Sequence, residues 1–178
     1  MSRELRIGFF DSGLGGLSVL RVAGQRMANA HYFYFADSAF APYGDQPLEI
    51  VRARSQAIAT FLAPQVDALV IACNTATALA AELIRSSVDI PVVAMEPAIK
   101  PAMQASRNRR VAVLATEKTL SSERYLDLKH RHATDGVVIE RACHHWVEAL
   151  EKGELNDAEL DHLVAEELKD IHILPMFR

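Results

Sequence analysis

No apolar run in this sequence approaches the roughly 18 residues that a helix needs to cross a bilayer, so nothing in it reads as a membrane span. Met1-Ser2-Arg3-Glu4 leads straight into a strand-like Leu5 to Phe10, without the apolar segment and small-residue cleavage site of a secretory signal. Cysteine is scarce. Only Cys73 and Cys143 occur, too few for a disulfide scaffold, so the expectation is a soluble, cytoplasmic protein with free thiols. Basic blocks are missing apart from Arg107-Asn108-Arg109-Arg110, which reads as a solvated turn ahead of a strand. Together with a net charge of -4, this argues against nucleic acid as the main ligand. Six of the seven histidines follow residue 129, among them His130, His132, His144 and His145, but they fall on different elements without zinc-like spacing. No metal site is expected.

What is present is ample core material. The chain has 178 residues, 50% hydrophobic and 24% charged, as in an ordinary globular protein. Strand-like runs at Arg6 to Phe10, Tyr32 to Ala36, Ala68 to Ala72, Val92 to Met95, Val111 to Ala115 and Val137 to Arg141 alternate with helical patterns. Those patterns fall at Gly16 to Met27, Leu48 to Ala63, Thr77 to Arg85, Ile99 to Ala105, Leu120 to Leu128 and Trp146 to Lys152, with a further stretch from Asp157 to Asp170. Such alternation predicts an α/β fold with mostly parallel sheets. Glu96-Pro97-Ala98 interrupts it, which predicts a first lobe over residues 1–97 and a second over 98–178. The second lobe is thin, and residues 171–178 add only a short apolar tail. Trp146, Val147 and Leu150 read as the buried stripe of a helix.

Cys73 is the first candidate for chemistry. It follows the apolar run Ala68 to Ala72 and precedes an alanine- and leucine-rich helix, which puts Cys73-Asn74-Thr75 at the carboxyl end of a buried strand, where open α/β sheets bind ligands. A buried cysteine is commonly plain core, but a helix N-terminus would hold a thiolate below its usual pKa of about 8.5. Asp11-Ser12-Gly13-Leu14-Gly15-Gly16 follows the first strand. Its glycines suit an anion at a helix start, yet they match neither the dinucleotide fingerprint nor a P-loop, and Asp11 and Ser12 also suit helix capping. Asp37 to Gly44 follows the second strand, and its Pro42-Tyr43-Gly44 forms a turn able to offer backbone amides to a carboxylate. Three successive strand ends thus bring small polar groups to one site.

These segments resemble the cofactor-independent glutamate racemases. The resemblance runs through FFDSGLGGLSVLR, ADSAFAPYGD, DALVIACNTATA, PVVAMEPAIKPA, VAVLATEKTLSSERY and ACHHWVEALEKGEL, in the family's order, to about Leu155. It implies an isomerase with two flavodoxin-like lobes, the second incomplete here, that interconverts L- and D-glutamate for peptidoglycan precursor synthesis. One thiolate removes the α-proton and a thiol on the opposite face returns one. By matching motifs, Cys73 is the first of these bases, with Asp11 and Ser12 beside it. Asn74 and Thr75 hold substrate, and Pro42, Tyr43 and Gly44 belong to the carboxylate site. Thr116 and Thr119 match the second lobe's polar turn, and Glu151 matches an acidic helper eight residues after Cys143. No lysine stands in a Schiff-base context, in keeping with a reaction that needs no cofactor. The partners implied are glutamate as small-molecule substrate and a homodimeric second copy, with neither nucleic acid nor membrane.

One family element is missing. The second catalytic tripeptide, Cys-Thr-His, does not occur in this sequence, and Cys143-His144-His145 matches a different, non-catalytic cysteine of the family. About a third of a full racemase is lacking at the carboxyl end, so the expectation is a truncated or frameshifted product that binds glutamate weakly and does not racemise it alone. Alternatives are an aspartate racemase, a single-cysteine decarboxylase of the wider superfamily, or a non-catalytic ligand-binding or regulatory fragment.

Overall fold

Strand β1 (Leu5–Asp11) is apolar nearly throughout and buried from Ile7 onward, as expected of a strand covered on both faces. The computed structural model describes residues 4–153, 155–169 and 171, and in it the chain divides into two compact units that meet in sequence at Pro97 and Ala98. The expected tail over residues 172–178 lies outside the described residues.

In the first unit β1 is central. It pairs in parallel with β2 (Ala30–Ala36) on one side and β3 (Ala68–Ile71) on the other, and β4 (Val92–Ala94) joins β3. The strand order β2-β1-β3-β4 is that of a flavodoxin-like sheet. Parallel neighbours require crossover connections, which are supplied by α1 (Leu17–Arg26), α2 (Leu48–Leu62) and α3 (Asn74–Ser87). Helices α2 and α3 present Val51, Ile58, Ala76, Ala80 and Ile84 to a core shared with Phe10 and Ile71.

The register positions the site. Asp11 lies opposite Ala36, Phe10 opposite Ile71, and two further bonds carry the ladders past the strand ends: Asp37 N–H donates to the Asp11 carbonyl at 3.0 Å, and Ala72 N–H to the Phe10 carbonyl at 2.8 Å. Ser12, Asp37 and Cys73 therefore leave the sheet from one level. Gly16 closes this end: a Cβ built there would lie 2.8 Å from Asp11 Cβ, 2.9 Å from Ala72 Cβ and 2.9 Å from the Tyr34 hydroxyl. Only a residue without a side chain lets the start of α1 approach the strand ends this closely.

The second unit has two parallel strands among its described residues, β5 (Arg110–Ala115) and β6 (Val137–Ala142), paired from Arg110 opposite Val137 to Ala115 opposite Ala142. Around them lie α4 (Ile99–Ala105), α5 (Glu117–Leu120), α6 (Glu123–His132), α7 (His144–Lys152) and α8 (Asp157–Leu168). Ile99, Met103, Tyr125 and Leu128 form its core. Arg107 to Arg109 make the expected turn, in which Arg109 adopts φ 55° and Gly136 fits 2.7 Å from its carbonyl, measured from the Cβ that glycine lacks.

Two sequence expectations need correction here. The single helix expected over Leu120 to Leu128 is two, because the Ser122 hydroxyl accepts from Tyr125 N–H at 3.2 Å and caps a new helix start. The stripe Trp146, Val147, Leu150 is not a buried one: Leu150 is 55% exposed, since a two-stranded sheet offers little apolar face to cover it. No helix among the described residues is long and apolar enough to cross a membrane.

Candidate functional site

Cys73 leaves β3 with an extended backbone and serves as the N-cap of α3. Its sulfur accepts the Ala76 N–H at 3.4 Å, the place normally taken by a serine or aspartate oxygen. The Ser12 hydroxyl oxygen lies 3.4 Å from the same sulfur. Parallel pairing of β1 with β3 makes this contact between residues far apart in sequence.

The pKa expected for the thiol is overturned. Burial pushes the Cys73 thiol up, and the negative charge of Asp11 adds to this; the Ser12 hydroxyl and the Ala76 and Ser12 amides favour the thiolate but are outweighed. Burial disfavours the charged form of the thiol, and Cys73 is only 6% exposed. At neutral pH the resting form is the thiol.

Asp11 does not cap α1. Its Oδ2 accepts Gly13 N–H at 3.0 Å, and the N-cap position of α1 is Gly16, which offers no side-chain acceptor. The glycine-rich turn is also a poor anion site, because Leu17, Ser18 and Val19 N–H already donate to the Leu14, Gly15 and Gly16 carbonyls. Tyr34 holds the turn from β2 by donating its hydroxyl to the Gly13 carbonyl at 2.7 Å.

The turn after β2 is anchored by a buried carboxylate. Asp37 Oδ2 accepts the Tyr43 hydroxyl at 2.6 Å and Arg54 Nε at 3.0 Å, while Oδ1 accepts Arg54 Nη2 at 2.6 Å. Burial opposes ionisation of Asp37, but the hydrogen bonds from Arg54 and Tyr43 and the Arg54 charge together hold its carboxyl below the usual carboxylate range. Burial, then the hydrogen bond to Asp37, push the Tyr43 phenol far above its ordinary value. The Ala41–Pro42 peptide bond is cis, the Tyr43 ring meets Phe10 edge-on, and Gly44 is partly exposed. Nothing in the sequence separates Arg54 from Arg52, because its partner lies on a different element; only a motif linking Asp37 to helix α2 could have revealed it.

Of the expected first-unit residues, Ser12 and Cys73 are in contact and Asp11 is close enough to bear on the thiol electrostatically. Asn74 and Thr75 form the first helical positions of α3, Asn74 exposed and Thr75 buried, and Pro42, Tyr43 and Gly44 form the anchored turn. In the second unit, Thr116 caps α5, and its hydroxyl lies 3.0 Å from that of Thr119. Cys143 precedes α7, where Glu151 occupies the last turn; burial, followed by the Glu167 charge, raises the Cys143 thiol. No group of three or more metal-ligating side chains occurs among the described residues.

Known proteins similar to this chain include glutamate racemases. A glutamate racemase of Pseudomonas aeruginosa is 49% identical over 151 residues, 84% of this chain and 57% of that protein. One from Clostridium perfringens (strain SM101) is 43% identical over 164 residues, 91% of this chain and 63% of that protein. The chain thus spans 57–63% of the length of these curated relatives. The crystal structure of Escherichia coli glutamate racemase in complex with L-glutamate and the activator UDP-MurNAc-Ala aligns with TM-score 0.86 and 29% identity, over 97% of this chain and 66% of that one. Glutamate racemase from Thermus thermophilus in complex with β-chloro-D-alanine aligns with TM-score 0.73 and 34% identity, over 94% and 62% of the two chains. The Asp/Glu/Hydantoin racemase model matches residues 18–171, and the chain belongs to that family.

Proposed function

We propose that this chain carries one half-site of a cofactor-independent glutamate racemase, with Cys73 as the base that exchanges the α-proton on one face of glutamate. The observation that carries the reading is the Ser12–Cys73 pair at the N-terminus of α3, on the level where the central parallel strands end. Relatives at 43–49% identity are named glutamate racemases, and the Escherichia coli neighbour was crystallised with L-glutamate.

The chemistry needs few groups. Cys73, a thiol at rest, reacts once it has lost its own proton: the thiolate lone pair takes the α-proton, becoming the thiol again, and the C–H electron pair moves toward the carboxylate to give an enediolate-like anion. That anion is stabilised by donors already in place before the reaction, an effect worth about 100-fold per donor in oxyanion sites. Asn74 and Thr75 at the start of α3, and the Tyr43–Gly44 backbone, are the donors assigned to substrate. Pro42 shapes the turn that presents them. Ser12 and Asp11 set the thiol's proton affinity from opposite directions, the hydroxyl favouring the thiolate and the carboxylate charge opposing it. In the second unit, Thr116 and Thr119 are the residues assigned to substrate and Glu151 to acid support.

No Cys-Thr-His tripeptide stands in the sequence to serve the opposite face. The expected activity of this chain is therefore exchange on one face without inversion. A complete racemase site would supply D-glutamate for peptidoglycan precursors in the cytoplasm, and the half-site described here contributes its first base. The test is optical inversion of L-glutamate by the purified chain, followed by circular dichroism. No inversion is expected of the wild type; inversion that is lost in Cys73→Ala overturns the one-face reading.

A further inference from the structure

The Asp37–Arg54 pair is more elaborate than a surface ion pair and has no task in the reaction above. Asp37 is 3% exposed, and both of its oxygens are engaged by the planar fork of Arg54, with the Tyr43 hydroxyl sharing Oδ2. The guanidinium carbon also lies 4.3 Å from the centroid of the Phe40 ring. Phe40 and Tyr43 flank Ala41 and Pro42, so one guanidinium on α2 reaches both ends of the segment, through the Phe40 face and, by way of Asp37, the Tyr43 hydroxyl. Such pairs fix geometry more reliably than they add stability, because desolvation offsets much of the attraction. Lysine could supply the charge but neither the fork nor the flat face that lies over a ring. The Tyr43 hydroxyl is occupied as a donor to Asp37 and the residue as a whole is only 1% exposed, which leaves the half-buried Gly44 as the part of the Tyr43–Gly44 pair that reaches the surface, where a ligand would meet it.

We propose that Asp37 and Arg54 are positioning residues for substrate: they hold the Tyr43–Gly44 backbone in the orientation that receives the glutamate carboxylate, and so set glutamate binding rather than proton transfer at Cys73. This rests on the assignment of that turn to the carboxylate in the proposed function. A purely stabilising role for the pair would lower the melting temperature but leave the concentration dependence of exchange in the folded protein unchanged. A role in proton transfer would lower the limiting rate instead.

The experiment measures α-proton exchange of glutamate in heavy water as a function of glutamate concentration, together with the glutamate-induced shift of the Gly44 amide in ¹⁵N spectra. The proteins are wild type, Arg54→Lys and Arg54→Met, each checked for folding by thermal unfolding. Arg54→Met is expected to raise the half-saturating glutamate concentration by about tenfold or more, with the limiting rate falling by less than about threefold. Arg54→Lys should fall between, since it keeps the charge and loses the fork. If Arg54→Met does not fold, Arg54→Lys decides by the same criterion. Wild-type half-saturation in the folded variants overturns the proposal and leaves the Cys73 reading intact, as does a loss confined to the limiting rate. Absence of exchange in wild type, with a Gly44 shift that Arg54→Met weakens, overturns the Cys73 reading and leaves the proposal standing. No Gly44 shift in wild type overturns the proposal whatever the exchange shows.

Discussion

The Ser12 hydroxyl and the Cys73 sulfur lie 3.4 Å apart, brought together by the parallel pairing of β1 with β3 and by strand ends that finish on one level. The hydroxyl can donate to a thiolate or accept from a thiol, and it is the strongest of the groups that favour the thiolate. Ser12→Ala removes it and leaves burial and the Asp11 charge less opposed. The expected result is α-proton exchange slowed by about tenfold or more near neutral pH, the size of one hydrogen bond to a charged group, with the slowing reduced at alkaline pH. A pH–rate profile of the two proteins checks this.

Burial makes Cys73 a reluctant nucleophile toward reagents. In the folded chain carrying Cys143→Ser, carboxamidomethylation of Cys73 by iodoacetamide near neutral pH should run at least about tenfold slower than in urea, and it should accelerate with pH past the range of an ordinary thiol. The sign follows from the raised pKa: the thiol form persists above the pH at which an unfolded-chain cysteine ionises. Mass spectrometry of time points reads the rate. A folded protein that reacts faster than the unfolded one contradicts the burial argument.

The Asp37 carboxyl is held below its ordinary range, so near its titration the unfolded state binds more protons than the folded state, and the contribution of the pair grows with pH. It is complete above the unfolded-chain aspartate value of about 3.9 and is lost as pH falls through the lower value of the folded chain. Asp37→Asn should therefore destabilise the first unit by a constant amount at neutral and weakly acidic pH, with the gap to wild type closing as the medium becomes strongly acidic. Urea midpoints across that range test it.

Gly16→Ala places a methyl where Asp11, Ala72 and Tyr34 leave no room, with approaches of 2.8–2.9 Å. Two of the three neighbours are Cβ atoms close to the backbone of β1 and β3, which cannot swing aside as a long side chain would. The expected cost is about 1–3 kcal/mol of stability, measured by urea denaturation, with a larger proportional loss of exchange because Asp11 is displaced beside Cys73.

The first unit's framework is legible in the sequence itself. Parallel strands buried on both faces appear as unbroken apolar runs, which is why Arg6 to Phe10 and Ala68 to Ala72 mark β1 and β3, and why Ser12 and Cys73 stand at their ends. Helix punctuation is harder to read. Ser122 divides α5 from α6 through one hydroxyl, and a serine inside an amphipathic pattern reads equally well as an exposed helical residue. The direction of the Cys73 pKa escapes sequence reasoning for an electrostatic reason: strand-and-helix arguments locate the helix terminus but not the depth of the sulfur or the Asp11 charge beside it. Arg54 is invisible in the sequence because ion pairs between different elements leave no periodicity there.

The most direct test of the central claim is α-proton exchange of L-glutamate and of D-glutamate in heavy water, followed by proton NMR with wild type and Cys73→Ala. The account predicts exchange of one enantiomer without inversion, abolished in Cys73→Ala. Equal exchange in both proteins, or none in wild type, contradicts it.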